Sequence, residues 1–167
     1  MSIALERPLY LMIFKICRCV ALSLFLNTIP FMYICNAESE TKIMAVFLDG
    51  AGRELCGFKV KLAVTPEEQS RGLMFTKDMA PDSGMLFINR GDEMRFFWMK
   101  NTYIPLDILF INSRNEVKHV HYGAKPFDET AIHSQYPVQY VLEVNSGRVK
   151  KCKIRQGSKM SIIQNPR

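Results

Sequence analysis

The sequence predicts a mainly β domain, a compact antiparallel sandwich or barrel-like fold with two short helices. Apolar and β-branched runs of roughly five to ten residues alternate with clusters of turn residues, the signature of many short strands. The 167 residues are 48% hydrophobic and 23% charged, the composition of one globular domain. No repeat, low-complexity stretch or interdomain linker interrupts the pattern. A net charge of +6 is scattered along the chain rather than gathered in a basic arm, so nucleic acid is not an expected partner.

In chain order, Arg7, Lys15 and Arg18 precede an uncharged run from Cys19 to Cys35, the pattern of a secretory leader. Cys35 and Ala37 place small residues at the third and first positions before a cut after Ala37. Residues 1–37 are therefore expected to be a signal peptide, and 38–167 a single β-rich domain that is periplasmic or secreted. The uncharged run, interrupted by Asn27 and Pro30, falls short of the roughly 20 residues that span a bilayer. Contact with a membrane is thus expected only through this segment before cleavage. Bulky Tyr33 and Ile34 argue against acylation of Cys35, and Met12 offers an alternative start that leaves a more compact charged region.

Strands are expected over Lys42–Leu48, Leu55–Val64, Met85–Ile88, Met94–Met99, Leu106–Ile111, Val117–Tyr122, Val138–Val144 and Lys159–Ile163. Asp49-Gly50-Ala51-Gly52 and Asn112-Ser113-Arg114-Asn115 sit between such runs as hairpin turns, which makes neighbouring strands antiparallel. Leu106, Ile108 and Phe110 occupy one strand face and Leu109 and Ile111 the other, so that strand is expected to be buried on both sides. Thr65 as cap, Pro66 at the first helical position and Glu68 completing a capping box start a helix that Gly72 ends after Arg71. A second short helix is expected from about Ser146 to Cys152, capped by Asn145 or Ser146.

Of five cysteines, only Cys56 and Cys152 follow the leader. In an oxidising compartment they can bridge, and both positions read as inward-facing; two buried thiols fit the same pattern equally well.

The ordered blocks Arg71-Gly72-Leu73-Met74, Gly84-Met85-Leu86-Phe87, Phe97-Trp98-Met99-Lys100-Asn101-Thr102, Pro105-Leu106-Asp107-Ile108-Leu109-Phe110 and Val141-Leu142-Glu143 resemble the domain of unknown function 192 family (DUF192) over roughly Lys42 to Ile163. The resemblance implies a compact, mainly β domain, often exported, and implies no reaction or ligand. The chain departs from the family pattern at Thr76, where arginine is common, Asn115, where glycine is usual, and Ser158, where aspartate often follows Gly157.

The densest chemistry is the aromatic run Phe96-Phe97-Trp98-Met99, which passes directly into Lys100-Asn101-Thr102 ahead of Pro105. Trp98 offers a flat face for stacking, with Lys100 and Asn101 as donors and Thr102 as either partner, a set suited to sugars or peptide ends. The plainer alternative makes Trp98 core and Asn101-Thr102 a turn. Asp107 shares a strand face with Leu109 and Ile111, so its carboxylate needs a partner such as Arg71, Arg95 or backbone donors. Glu143 alternates with Val141 in a similar way. Asp107 and Glu143 would form an acid and base pair of the glycosidase type if they converged within about 5–9 Å. The candidate ligand-binding set is therefore Arg71, Trp98, Lys100, Asn101, Thr102, Asp107 and Glu143.

His119 and His121 share a strand face by alternation. With His133 and sulfur from Met85, Met94 or Met99 they would make a soft copper site, against which stands the simpler use of methionine as core filler. The basic run Arg148, Lys150, Lys151, Lys153 and Arg155 reads as a solvated face or a contact for anionic polymers. No Gly-x-Ser-x-Gly elbow, Walker loop or dinucleotide glycine motif is present. The expectation is a binding or accessory module of the cell envelope, taking a small polar ligand or an envelope polymer. The alternatives are a carboxylate-dependent hydrolase of envelope saccharides and a periplasmic metal-handling protein; enzyme activity and cofactor stay open.

Overall fold

The computed structural model describes residues 42–165. The leader expected over residues 1–37 lies outside the described residues. Nine strands and two helices follow in the order β1 (Lys42–Leu48), β2 (Glu54–Ala63), α1 (Pro66–Arg71), β3 (Ser83–Glu93), β4 (Phe96–Phe97), β5 (Leu106–Ile111), β6 (Val117–Ala124), β7 (Ile132–His133), β8 (Val138–Asn145), α2 (Arg148–Lys151) and β9 (Lys159–Asn165). Seven strands form one sheet in the order β6-β5-β8-β3-β2-β1-β9, and β4 pairs with β7 in a two-stranded ribbon. The mainly β, sandwich-like class holds.

Local chemistry shapes both hairpins. In the β1–β2 turn the Asp49 carboxylate accepts from the backbone N–H groups of Ala51 and Arg53 at 2.9 and 3.0 Å. Asn112 does the same between β5 and β6, accepting from Arg114 and Glu116 at 3.1 and 2.9 Å. Asn115 in that turn adopts φ 59°, a left-handed conformation that asparagine tolerates better than most residues, so it fills the place where glycine is usual.

One pairing departs from the antiparallel expectation: β2 and β3 run parallel, with Lys59 opposite Ser83 and Ala63 opposite Phe87. Parallel neighbours need a crossover, and α1 supplies it. Its capping box is complete, with Thr65 Oγ1 accepting from the Glu68 N–H at 3.2 Å and the Glu68 carboxylate accepting from the Thr65 N–H at 2.9 Å. The second helix is shorter than expected. It covers Arg148–Lys151 behind Gly147, which takes φ 83° and provides no side-chain cap. Asn145 instead donates to the Met79 and Ala80 carbonyls, each at 3.0 Å.

β5 is buried along its whole length, because each of its faces meets a separate core. Leu109 and Ile111 join Phe47, Phe58, Leu86 and Leu142 in one cluster. Leu106, Ile108 and Phe110 join Phe87, Met99 and Val141 in the other. Around the first cluster the sheet rolls until its outer strands touch at one end. There Glu116 bridges to Lys159, and the Val117 N–H donates to the Ser158 carbonyl at 2.9 Å. A disulfide joins Cys56 of β2 to Cys152 at the end of α2, with Cα atoms 5.6 Å apart.

The strand expected over Met94–Met99 shrinks to Phe96–Phe97, because the segment leaves the main sheet to pair with β7, a strand too short to stand out in the sequence. Ser134 anchors the ribbon. Its hydroxyl accepts from the Arg95 N–H at 3.0 Å, and its own N–H donates to the Arg95 carbonyl at 2.9 Å.

Candidate functional site

The second core sits under an incomplete cover. Phe97 packs edge-on against Phe87 and Phe110, with centroids 5.0 and 6.1 Å apart, and so pins the β4 segment onto the sheet. Gly72 ends α1 at φ 46°, where a Cβ would lie only 3.3 Å from the Phe87 ring, so glycine is what lets the chain turn close to that ring. Between the end of α1 and the β4 segment lies a cavity of about 440 Å³.

Glu143 of β8 lines this cavity and is 4% exposed. Burial alone pushes its carboxyl up to about 8, so at neutral pH it is mostly a protonated, neutral acid. No hydrogen bond or ion pair contributes to that shift. β3 comes close at this point: a Cβ on Gly84 would lie 2.5 Å from the Glu143 carbonyl oxygen. Arg71, Trp98, Lys100 and Thr102 line the same cavity. Trp98 is 47% exposed, so the alternative that buries it as core does not describe its position. The Lys100 ammonium lies over its ring, 5.8 Å from the centroid. The Thr102 hydroxyl is buried and donates to the Lys100 carbonyl at 3.2 Å.

Two of the seven candidate residues stand elsewhere. Asn101 is a turn residue at φ 51° whose carbonyl accepts from the Phe75 N–H at 2.8 Å, and it does not line the cavity. Asp107 is on the other face of the sheet. Across β5 and β8, Ile108 lies opposite Glu143 whereas Asp107 lies opposite Val144, so the two carboxylates point in opposite directions. They do not form the acid and base pair that alternation allowed. The Asp107 carboxylate is 1% exposed and accepts from the Gly123 and Val149 backbone N–H groups at 3.0 and 3.2 Å. It therefore does for α2 what an N-cap would have done. Asp107→Ala is expected to lower stability by about 1–3 kcal/mol through two orphaned backbone donors, read as a lower urea midpoint. An unchanged midpoint would show that these bonds contribute nothing.

Arg95 and the exposed Met94 and Phe96 also line the cavity, and sequence reasoning did not place them in the site. The signal was available in the alternation of Met94, Phe96 and Trp98, which puts three large apolar side chains on one side of an extended segment. Arg95 donates to the Gly91 carbonyl at 3.2 Å and pairs with Glu93 at 3.1 Å, yet its buried Nε has no acceptor.

The histidines collect in a different cleft. His119, His121 and His133 line it together with Asp128. His119 stacks on Phe110 with centroids 5.7 Å apart, and burial, then the charge of His121, holds its pKa below the usual imidazole value. Met99 is sealed in the second core, and Met94 lines the Glu143 cavity. Among the described residues no group of three or more His, Cys, Asp or Glu side chains is arranged to hold a metal ion. The three histidines of the expected copper site thus share a cleft, whereas Met94 and Met99 stand elsewhere. In the basic run, Arg148 pairs with Asp82 and Lys150 lies over the Tyr122 ring at 5.0 Å, so part of it serves local packing.

Rolled mixed sheet, crossover helix and aromatic ribbon define a class of small β domain with a ligand-sized cavity lined by a buried acid on one sheet face. The chain belongs to the Uncharacterized ACR family DUF192, whose model matches residues 47–162. It is similar to the crystal structure of a Sinorhizobium meliloti 1021 protein provisionally described as a transcription regulator, at 41% identity and TM-score 0.69, over 72% of this chain and 92% of that one. It is also similar to a protein of unknown function from Novosphingobium aromaticivorans DSM 12444, at 36% identity and TM-score 0.66, over 71% of this chain and 83% of that one. No curated protein matches it.

Proposed function

We propose that this protein is an exported binding module of the cell envelope that holds a small polar ligand in the cavity over Glu143. One observation carries the reading: a glutamate only 4% exposed lines a cavity, its carboxyl raised by burial with no hydrogen bond contributing, beside a half-exposed tryptophan. Taking a carboxyl largely out of water is costly, and a ligand that bonds to it offsets part of the cost. The cavity volume of about 440 Å³ lies within the range typical of small-molecule sites.

Trp98 is the only tryptophan, so its emission reports directly on this site. A panel of sugars, peptidoglycan fragments and anions is expected to contain a compound that shifts the emission to the blue and raises Tm. Trp98→Ala is expected to weaken that compound about tenfold while changing stability by less than about 1 kcal/mol, because a half-exposed ring contributes more to stacking than to packing. A panel that moves neither signal counts against the reading.

Export is supported by the leader pattern and by the Cys56–Cys152 bridge, a bond favoured in oxidising compartments. Expressed in a Gram-negative host, the protein is expected in the periplasmic fraction with Glu38 at its N-terminus. A full-length cytoplasmic product would overturn this part. The hydrolase alternative is weakened because Glu143 is the one carboxylate lining the cavity among the described residues. A helix-in-groove mode of nucleic-acid binding finds no support either, since the described helices have six and four residues.

A further inference from the structure

The cavity has two chemically different ends. Glu143 is its interior group, whereas Arg71 and Lys100 line it as exposed side chains. Burial is the cause of the raised Glu143 carboxyl, and no ion pair joins it to Arg71 or Lys100 among the described residues. Arg95 adds a third cation to the lining, with a buried Nε that has no acceptor. Three cations and one buried acid line the same space, and the Trp98 ring offers a flat face beside them.

Resting on the binding-module reading, we infer that the ligand is an acidic, hydroxylated small molecule of the size of a sugar acid or sugar phosphate. Its anionic group sits at Arg71 and Lys100, its ring lies against Trp98, and a hydroxyl or carbonyl oxygen meets the Glu143 carboxyl. An ammonium group is disfavoured twice: the cations repel it, and the acid inside is neutral at neutral pH. The neutral acid instead donates its O–H to an oxygen acceptor. Carboxylate and phosphate share the chemistry that the mouth requires, and the guanidinium of Arg71 suits either.

The test titrates the purified protein at pH 6.5 with glucuronate, glucose 6-phosphate, glucose and glucosamine, following Trp98 emission and Tm. Glucuronate, glucose 6-phosphate or both are expected to bind at least tenfold more tightly than glucose, with glucosamine weakest. Whichever of the two binds names the acid group. Raising the salt concentration is expected to shrink the preference, because the mouth is open to solvent. The double variant Arg71→Gln, Lys100→Gln is expected to bring the anion down to the affinity of glucose; both side chains are exposed, so the fold does not depend on them. Above pH 8 the wild type is expected to lose affinity as Glu143 ionises, while Glu143→Gln, which still donates, does not. Equal binding of glucose, glucosamine and glucuronate would overturn the anion selectivity and leave the binding-module reading standing. No response to any of the four, together with a response to an apolar or cationic compound in the wider panel, would overturn the ligand class alone. Silence across the whole panel removes both.

Discussion

Between pH 6.5 and 8 the protein is expected to lose about 1–2 kcal/mol of stability as pH rises, and Glu143→Gln is expected to abolish most of that loss. The Glu143 carboxyl is raised from 4.5 to about 8 in the folded state. From 4.5 upward the unfolded chain has released this proton while the folded chain keeps it, so the folded state binds more protons and each pH unit costs up to about 1.4 kcal/mol. The contribution is fully present below 4.5 and is gone above about 8. Other groups act in the opposite sense but lower on the scale. The lowered pKa of His119 costs stability as pH falls below its ordinary value, and the lowered Asp49, Glu68, Glu116 and Asp128 carboxylates act only in acid. His119 still acts at the lower end of this window, so the comparison of wild type with Glu143→Gln is what isolates Glu143. Urea midpoints at pH 6.5, 7.25 and 8 measure it: wild type and variant should diverge, with the variant the more stable at the alkaline end. Parallel midpoints would mean that the carboxyl ionises without strain and that its burial carries no functional meaning.

Removing the disulfide is expected to cost about as much again or more. Cys56 and Cys152 are 96 residues apart in sequence, so the bridge restricts most of the described chain when it is unfolded. The chain-entropy argument puts a loop of that length at about 4–5 kcal/mol, an upper figure for the double change Cys56→Ala, Cys152→Ala. Cys152 is also part of the first core, where alanine leaves space behind. The reduced wild type separates the two effects, since it opens the loop without removing atoms from the core. Urea unfolding with and without reductant should show a lower midpoint and a steeper dependence on denaturant in the reduced form. Coincident curves would show that the unfolded chain gains nothing from being released.

What could be read from the sequence was what neighbouring residues determine. β1, β5 and α1 have the bounds that alternation and capping assign to them, because a turn, a period of two or a capping box is complete within a few residues. The parallel β2–β3 pair, the β7 ribbon and the early end of β4 depend on partners far along the chain, and no local pattern encodes them. The candidate site divides in the same way. Asp107 and Glu143 each stand among apolar residues on a strand, and nothing local tells them apart. Only the pairing of Ile108 with Glu143 across β5 and β8 sends one into the cavity and the other beneath α2. Trp98 and Lys100 were recognisable as candidates because an aromatic run meets polar residues there. Asn101 belongs to the same run, but its left-handed backbone turns it into a joint.

The first described strand also sets a timetable for synthesis. β1 lies between β2 and β9, with Lys42 opposite Asn165, so one of its edges is matched at once by a hairpin and the other only after the whole domain has been made. On the ribosome one edge of β1 has no partner until Met160 and its neighbours emerge, and the bridge at Glu116 and Lys159 waits for the same event. Such late, distant pairings are slow to form. The outer edge of β1 is consequently the strand edge left open longest during synthesis, from Leu48 until Lys159 and the rest of β9 have been made.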